Sequence, residues 1–331
     1  MNMLAEGFQH RHAAHCESGV AANMFTYYGT PISEAMAFGL SSALSFAYLP
    51  FVKITGFPLI SYRMPPRFIL KGLSKAFHSR IHFETFRDPQ AGMQRLDQLL
   101  AQGKLVGLQT SVYWLPYFPE DMRFHFNAHN LLVFGKEGDD YLISDPVGEE
   151  PQRCAGADLQ RARFAKGALA PKGLLYYPEQ IRRSEISPHL VRKAIIKTTR
   201  IMLGPIPLIG VRGMRMLARK VASLKTDDDY SLNYVGHIVR MQEEIGTGGA
   251  GFRFLYGAFL QEASSLPGLS MLADYADRLM TIGDEWRAFA LATARMVKGR
   301  DPMNPETLAN QLRALADRET SFFRDLKKVV A

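Results

Sequence analysis

The spacing of hydrophobic positions along the 331-residue chain changes near residue 180. Up to about Tyr177, helix-period segments alternate with short apolar runs. Residues 21–28, 34–46 and 91–102 read as helices, whereas 81–86 (IHFETF), 105–110, 131–134 and 141–144 read as strands. Between Asn130 and Pro146 the order LLVFG, KEGDD, YLISDP is that of an antiparallel hairpin. From about Pro188 the spacing is helical almost throughout. Asp227-Asp228-Asp229 puts negative charge at the start of a helix running to Gly246, and Pro305 opens a last helix with Leu308, Leu312, Leu315, Phe322 and Leu326 at helical spacing. The pattern predicts an α+β domain over residues 1–180 and a mostly α-helical domain over 186–331. The boundary falls where Pro178, Arg182-Arg183 and Pro188 cluster.

One uncharged stretch, 35–52 (AMAFGLSSALSFAYLPFV), sits at the lower length limit for a bilayer span. Serines, a glycine and a late proline dilute it, so the expectation is a buried helix ending in an extended piece. At 47% hydrophobic and 22% charged, the composition excludes a disordered chain. Only Cys16 and Cys154 occur, and the opening MNMLAEGFQHRHAAHCES is polar rather than signal-like. A chain without a disulfide framework, in the cytoplasm, is expected.

Charge is unevenly placed. The net charge is +8, yet residues 182–225 hold eleven Lys/Arg against the single Glu185, a surplus of ten, so the rest sums to −2. Such a field attracts a polyanion. The segment contains no Phe, Tyr or Trp on which bases could stack, which argues against nucleic acid and leaves an acidic protein or an anionic membrane surface as the partner. A solvated helix face has the same signature.

Cys16 lies just before a predicted helix (Ser18 onward), where the dipole and free N–H groups favour a thiolate and can hold developing negative charge. His129 opens the strand LLVFG and Asp145 follows YLIS. The hairpin therefore brings imidazole and carboxylate toward one end, giving nucleophile, base and orienter in the order Cys, His, Asp. His125, on the same side of an extended chain as His129, is the rival base. The alternative for Cys16 is a buried, inert thiol. Cys154 has neither a helix start nor a nearby base and reads as structural. The run His10, His12, His15, Cys16 lacks a second ligand pair, so no metal is expected.

Gly246-Thr247-Gly248-Gly249-Ala250-Gly251 formally contains GxGxxG, but it follows a helix, so the dinucleotide context is absent. Two readings remain: an anion pocket with Arg253 in the next first turn, or a tight connector between helices. The aromatic loop Tyr113-Trp114-Leu115-Pro116-Tyr117-Phe118 reads either as a pocket wall or as core packing.

In this order, the blocks resemble the butirosin biosynthesis protein H family, acyltransferases with a papain-like, cysteine-protease-type N-terminal domain and a helical C-terminal region. The resemblance lies in HCES at His15 to Ser18, ISEAMAFGL, AHNLLVFG followed by YLISDP, DLQRAR, and IGTGGAGFRFLYGAFLQEA. It implies transfer of an acyl or aminoacyl group from a phosphopantetheine thioester on an acyl carrier protein, through a Cys16 acyl-enzyme, to an amine or hydroxyl of a small molecule or lipid. The pathway would be one of secondary metabolism or lipid synthesis. His129 would be the base and Asp145 its orienter, with no bound cofactor. His15, Glu17, Gln109, Tyr113, Trp114, Gly248, Gly249 and Arg253 are expected to contact substrate. One departure is Gln109-Thr110, where the family pattern has an aspartate. The basic segment, in the domain expected to bind substrate and carrier, would steer an acidic carrier protein. Two other readings compete: a cysteine peptidase or amidase in which water replaces the acceptor, and a non-catalytic binding protein with a buried Cys16.

Overall fold

The structure, a computed structural model, describes residues 3–54, 56–182, 184–245 and 249–331. The chain runs β1 (Met3–Leu4), α1 (Cys16–Tyr27), α2 (Glu34–Leu40), β2 (Leu44–Ile54), β3 (Phe57–Arg63), α3 (Phe68–Ala76), β4 (Arg80–Glu84), α4 (Pro89–Leu100), β5 (Val106–Thr110), β6 (His129–Glu137), β7 (Asp140–Ser144), β8 (Gln152–Ala155), α5 (Gly156–Arg163) and β9 (Leu175–Gln180). It continues through α6 (Pro188–Met202), α7 (Gly210–Ala222), α8 (Asp229–Glu243), α9 (Arg253–Ala263), α10 (Leu272–Val297) and α11 (Pro305–Val330). This is an α+β chain with a helical C-terminal region.

Two compact units result, one from the residues up to Ala37 with Ile69–Glu185, the other from Phe38–Phe68 with Ile186–Ala331. A division into 1–180 and 186–331 therefore misplaces one segment. The reason is apolar: the antiparallel hairpin β2/β3 buries Leu44, Phe46, Ile60 and Tyr62, with Phe46 and Tyr62 both ringed against Trp286 of α10.

In the first unit the strands form an antiparallel sheet in the order β4-β9-β5-β6-β7-β8, with β1 added to β6. The hairpin expected between Asn130 and Pro146 is β6/β7; Glu137 pairs with Asp140, and Gly138 takes the positive φ its tight turn requires. Leu131, Val133 and Ile143 meet Leu96 and Leu99 of α4 and Leu159 of α5 in one core. Asn130, one residue before Leu131, points to the other face, where α1 packs against β6.

Caps and prolines start the helices: Ser187 before Pro188, Asn304 before Pro305 and Asp228 at the head of α8, near where the sequence places them, and Asp88 before Pro89, two residues ahead of the expected start at 91. The boundaries nearest the cysteine helix and the first apolar stretch differ most from expectation. The helix expected over 34–46 stops at Leu40; Ser42 turns the chain at positive φ, and Leu44 begins a strand whose first residues are buried. The cysteine helix begins at Cys16 itself rather than Ser18, because His15 caps it. Among the described residues no helix is long and apolar enough to cross a membrane.

Candidate active site

The segment before α1 is held by side chains from elsewhere in the first unit. His10 donates from Nε2 to the Gly148 carbonyl (3.0 Å), so its Nδ1 accepts from Ser144 Oγ (2.8 Å). The Ala13 N–H donates to the Pro146 carbonyl at 2.6 Å. Glu34 then gathers the next turn: Oε2 accepts from the Ala14 N–H (2.9 Å), and Oε1 from the His15 N–H (2.8 Å) and the Ser18 hydroxyl (2.8 Å). Burial raises the Glu34 pKa, partly offset by these donors. His15 is extended, and its Nδ1 lies 3.3 Å from the Ser18 N–H and 2.7 Å from Ser18 Oγ. That geometry is an N-cap, with imidazole nitrogen in the role usually taken by a hydroxyl or carboxylate. Cys16 is thereby fixed as the first residue of α1, 3% exposed, among the N–H groups that a helix start leaves without carbonyl partners.

The sheet supplies the other two groups. His129 begins β6, opposite Thr110 of β5, and Asp145 follows the last residue of β7. His129 Nε2 donates to Asp145 Oδ2 at 2.6 Å, and both side chains are buried. With Nε2 engaged, the other ring nitrogen is the one left for Cys16, whose sulfur lies near enough to influence the imidazole's titration. Burial works against an imidazolium here. The Asp145 charge and hydrogen bond, joined by those of Cys16, outweigh it and push the His129 pKa up to about 10.

Three residues at this centre are not among the site residues expected from the sequence. Tyr117 donates its hydroxyl to the same Asp145 Oδ2 (2.9 Å), while the Val147 N–H donates to Oδ1 (3.2 Å). Burial, then Asp145, raises the Tyr117 pKa far above the phenol range, so it stays a donor. Asn130 Nδ2 reaches Cys16 Sγ at 4.0 Å and the Ala128 carbonyl at 3.1 Å, and its Oδ1 accepts from Tyr176 (3.0 Å). Glu34 is the third. The adjacency of Asn130 to His129, and the place of Tyr117 within the aromatic loop, are the hints of them in the sequence.

The expected substrate contacts fare differently. Glu17 is fully buried and accepts from the Ile69 N–H (3.0 Å), so it joins α1 to the head of α3 rather than facing substrate. Gln109 donates to the carbonyls of Asn127 (2.9 Å) and Leu169 (3.1 Å), holding two loops together. Tyr113 and Trp114 line an open groove of about 390 Å³ with Pro116 and Arg161. His125, the rival base, stacks on the Tyr113 ring at 4.1 Å. Cys154 is buried, and burial pushes its thiol up to about 12.

The anion pocket expected at the glycine-rich turn is not built as one. Gly248 lies outside the described residues. Beside Gly249, the Ala250 N–H faces the Glu243 carboxylate at 3.1 and 3.2 Å, so the chain's own anion occupies the position. Arg253 is fully buried and forked onto Glu319 (2.8 and 2.9 Å), with its Nη1 donating to the Gly251 carbonyl. Among the described residues no three His, Cys, Asp or Glu side chains lie close enough to hold a metal ion.

Residues 15–146 match the family described as butirosin biosynthesis protein H, N-terminal, and residues 157–326, just over half of the chain, match a domain of unknown function, DUF4872. A similar solved structure is a C39-like peptidase from Bacillus anthracis, 13% identical, covering 56% of this chain and 100% of that chain at a TM-score of 0.40. No curated protein matches.

Proposed function

For a chain that belongs to the family of butirosin biosynthesis protein H, carrying its N-terminal domain followed by DUF4872, we propose an acyltransferase that works through a Cys16 acyl-enzyme. The observation that carries the proposal is the buried His129 held through Nε2 by Asp145 at 2.6 Å, with Cys16 among the groups that raise its pKa. A merely structural cysteine has no need of an oriented, protonated imidazole beside it.

The donor is a phosphopantetheine thioester on an acyl carrier protein. Cys16 sulfur attacks the thioester carbonyl; as the tetrahedral adduct collapses, the carbonyl–sulfur bond to pantetheine breaks, and His129 supplies the proton that pantetheine sulfur takes up. The oxyanion is held by N–H groups at the head of α1 and by the Asn130 amide. His129, now neutral, removes a proton from the incoming amine or hydroxyl. The new acyl bond forms, and Cys16 sulfur leaves with its electron pair. Asp145, oriented by donors from Tyr117 and Val147, is a positioning residue that favours the imidazolium. Burial of the thiol favours an amine over bulk water in the second step.

Intact-mass analysis of wild type and Cys16→Ser, incubated with acylated carrier proteins with and without amines, tests this. The expected result is a mass gain on the wild type that persists in water, is absent in the variant and is discharged by an amine. Discharge by water at the same rate assigns a hydrolase. No adduct, together with no iodoacetamide labelling of Cys16, overturns the catalytic reading.

A further inference from the structure

The basic surplus of residues 182–225 is not spread evenly over the second unit. Arg212, Arg215 and Arg219 recur at helical spacing along α7, and Arg324 of α11 faces the same groove. The groove measures about 410 Å³, and Leu203, Pro207 and Val211 add an apolar part to its lining. Arg215 is engaged by Asp317 (2.7 Å) and Thr320 (3.1 Å). Arg212, Arg219 and Arg324 have no ion-pair partner among the described residues.

Elsewhere on this unit Arg278 pairs with Asp325, Arg295 with Asp301, Arg313 with Glu306 and Arg318 with Glu285, whereas the exposed Arg200, Arg287 and Arg300 have no ion pair among the described residues but do not line this groove. Gathering three unmatched guanidinium groups around one concavity costs folding free energy through their mutual repulsion, a cost that a bound anion removes. Guanidinium forks fit the oxygens of a phosphoryl group, two N–H donors to two oxygens, better than they fit a monatomic ion. The apolar lining and the volume leave room for carbon beyond the phosphate.

We propose that the α7/α11 groove is a binding site for a phosphate ester, with Arg212, Arg219 and Arg324 on the phosphoryl oxygens and Leu203, Pro207 and Val211 against the carbon adjoining them. The site goes beyond the chemistry proposed at Cys16. Nothing in its test reads the thiol, so either idea can fail without the other.

The test is calorimetric titration of the full chain with inorganic phosphate and with glycerol 3-phosphate, against sodium chloride at matched ionic strength to remove general screening. Saturable binding of one equivalent is expected, tighter for the ester, and weakened roughly tenfold or more in Arg212→Gln/Arg219→Gln/Arg324→Gln. All three side chains are exposed, so the variant is expected to melt as wild type does in chloride. If it does not fold, Arg219→Gln alone is expected to show a severalfold loss. Responses equal to those in chloride, or unchanged in the variants, overturn the proposal. Flotation with phosphatidylglycerol vesicles separates the sources. Arginine-dependent binding of both soluble ester and vesicle assigns a lipid headgroup, and binding of the soluble ester alone assigns a free phosphate ester. Binding of vesicles without any response to phosphate or ester overturns the pocket, because the arginines then meet a surface.

Discussion

Asp145 Oδ2 accepts from both His129 and Tyr117, so the charge that holds the imidazolium is shared with a phenol. Taking the carboxylate away leaves burial as the largest influence on His129. In Asp145→Asn the imidazolium is therefore expected to titrate well below about 10, toward or under the ordinary 6.5, with acyl transfer reduced about 10²–10⁴-fold. NMR titration of the imidazole checks the first; an unmoved titration sinks the assignment. Stability has the matching sign. A histidine raised from 6.5 to about 10 on folding contributes fully below pH 6.5, and its contribution is lost as pH rises through about 10. Urea stability of wild type is expected to fall over that interval more steeply than that of Asp145→Asn. Tyr117→Phe tests the shared oxygen from the other side: with one donor gone, the carboxylate bears harder on His129, and the imidazolium titration is expected to move up rather than down. Cys16, His129 and Asp145 were readable because each sits at an element boundary that the apolar pattern marks. Tyr117, Asn130 and Glu34 were not, because their roles come from contacts across 16 to 114 residues of chain, which no local pattern encodes.

At the scale of elements, the site depends on how closely α1 approaches the turn after β7. Gly19, one turn beyond Cys16, makes that approach: a Cβ there would lie 2.5 Å from Pro146 Cβ and 2.6 Å from Ala13 Cβ. Neither neighbour is a flexible side-chain end, so Gly19→Ala must push the helix away from the residues beside Asp145. A loss of about 1–3 kcal/mol is expected from overpacking, with a drop in iodoacetamide labelling of Cys16 larger than the stability loss explains. Gly236→Ala in α8 is the control, because its nearest contact is an ordinary 3.6 Å to Val297; helix propensity there favours Ala by up to about 1 kcal/mol. If both variants label alike, the close approach does not position the thiol. The β6/β7 hairpin and the capped helices α4, α6 and α11 were legible, since turn and cap chemistry is local. The β2/β3 hairpin was not. LSFAYLPFVKI is an apolar run short enough to read either as helix or as strand, and its burial is decided by Trp286, more than 200 residues later.

For the whole molecule, the two-part reading of the sequence was right in kind: mixed sheet and helix first, helices after. What composition hid is where the second unit spends its charge. Arg253, read as a ligand for an outside anion, lies at the centre of a buried polar group instead. Its guanidinium is forked onto Glu319, and Trp286 Nε1 donates to the same carboxylate at 2.7 Å. Tyr62 and Trp286 both ring the guanidinium, at 5.7 and 5.2 Å. All four side chains are inaccessible or nearly so. A pair so enclosed adds little net stability over apolar packing, but removing one partner strands the other's charge. Arg253→Leu leaves Glu319 with only the indole donor and is expected to cost about 3–5 kcal/mol by chemical denaturation. Replacing both, Arg253→Met with Glu319→Leu, is expected to recover part of that loss, the shortfall reflecting the indole N–H and the Gly251 carbonyl left without their partners. A single-variant cost near zero would mean that water reaches Glu319, and the enclosure described for this pair would then be wrong.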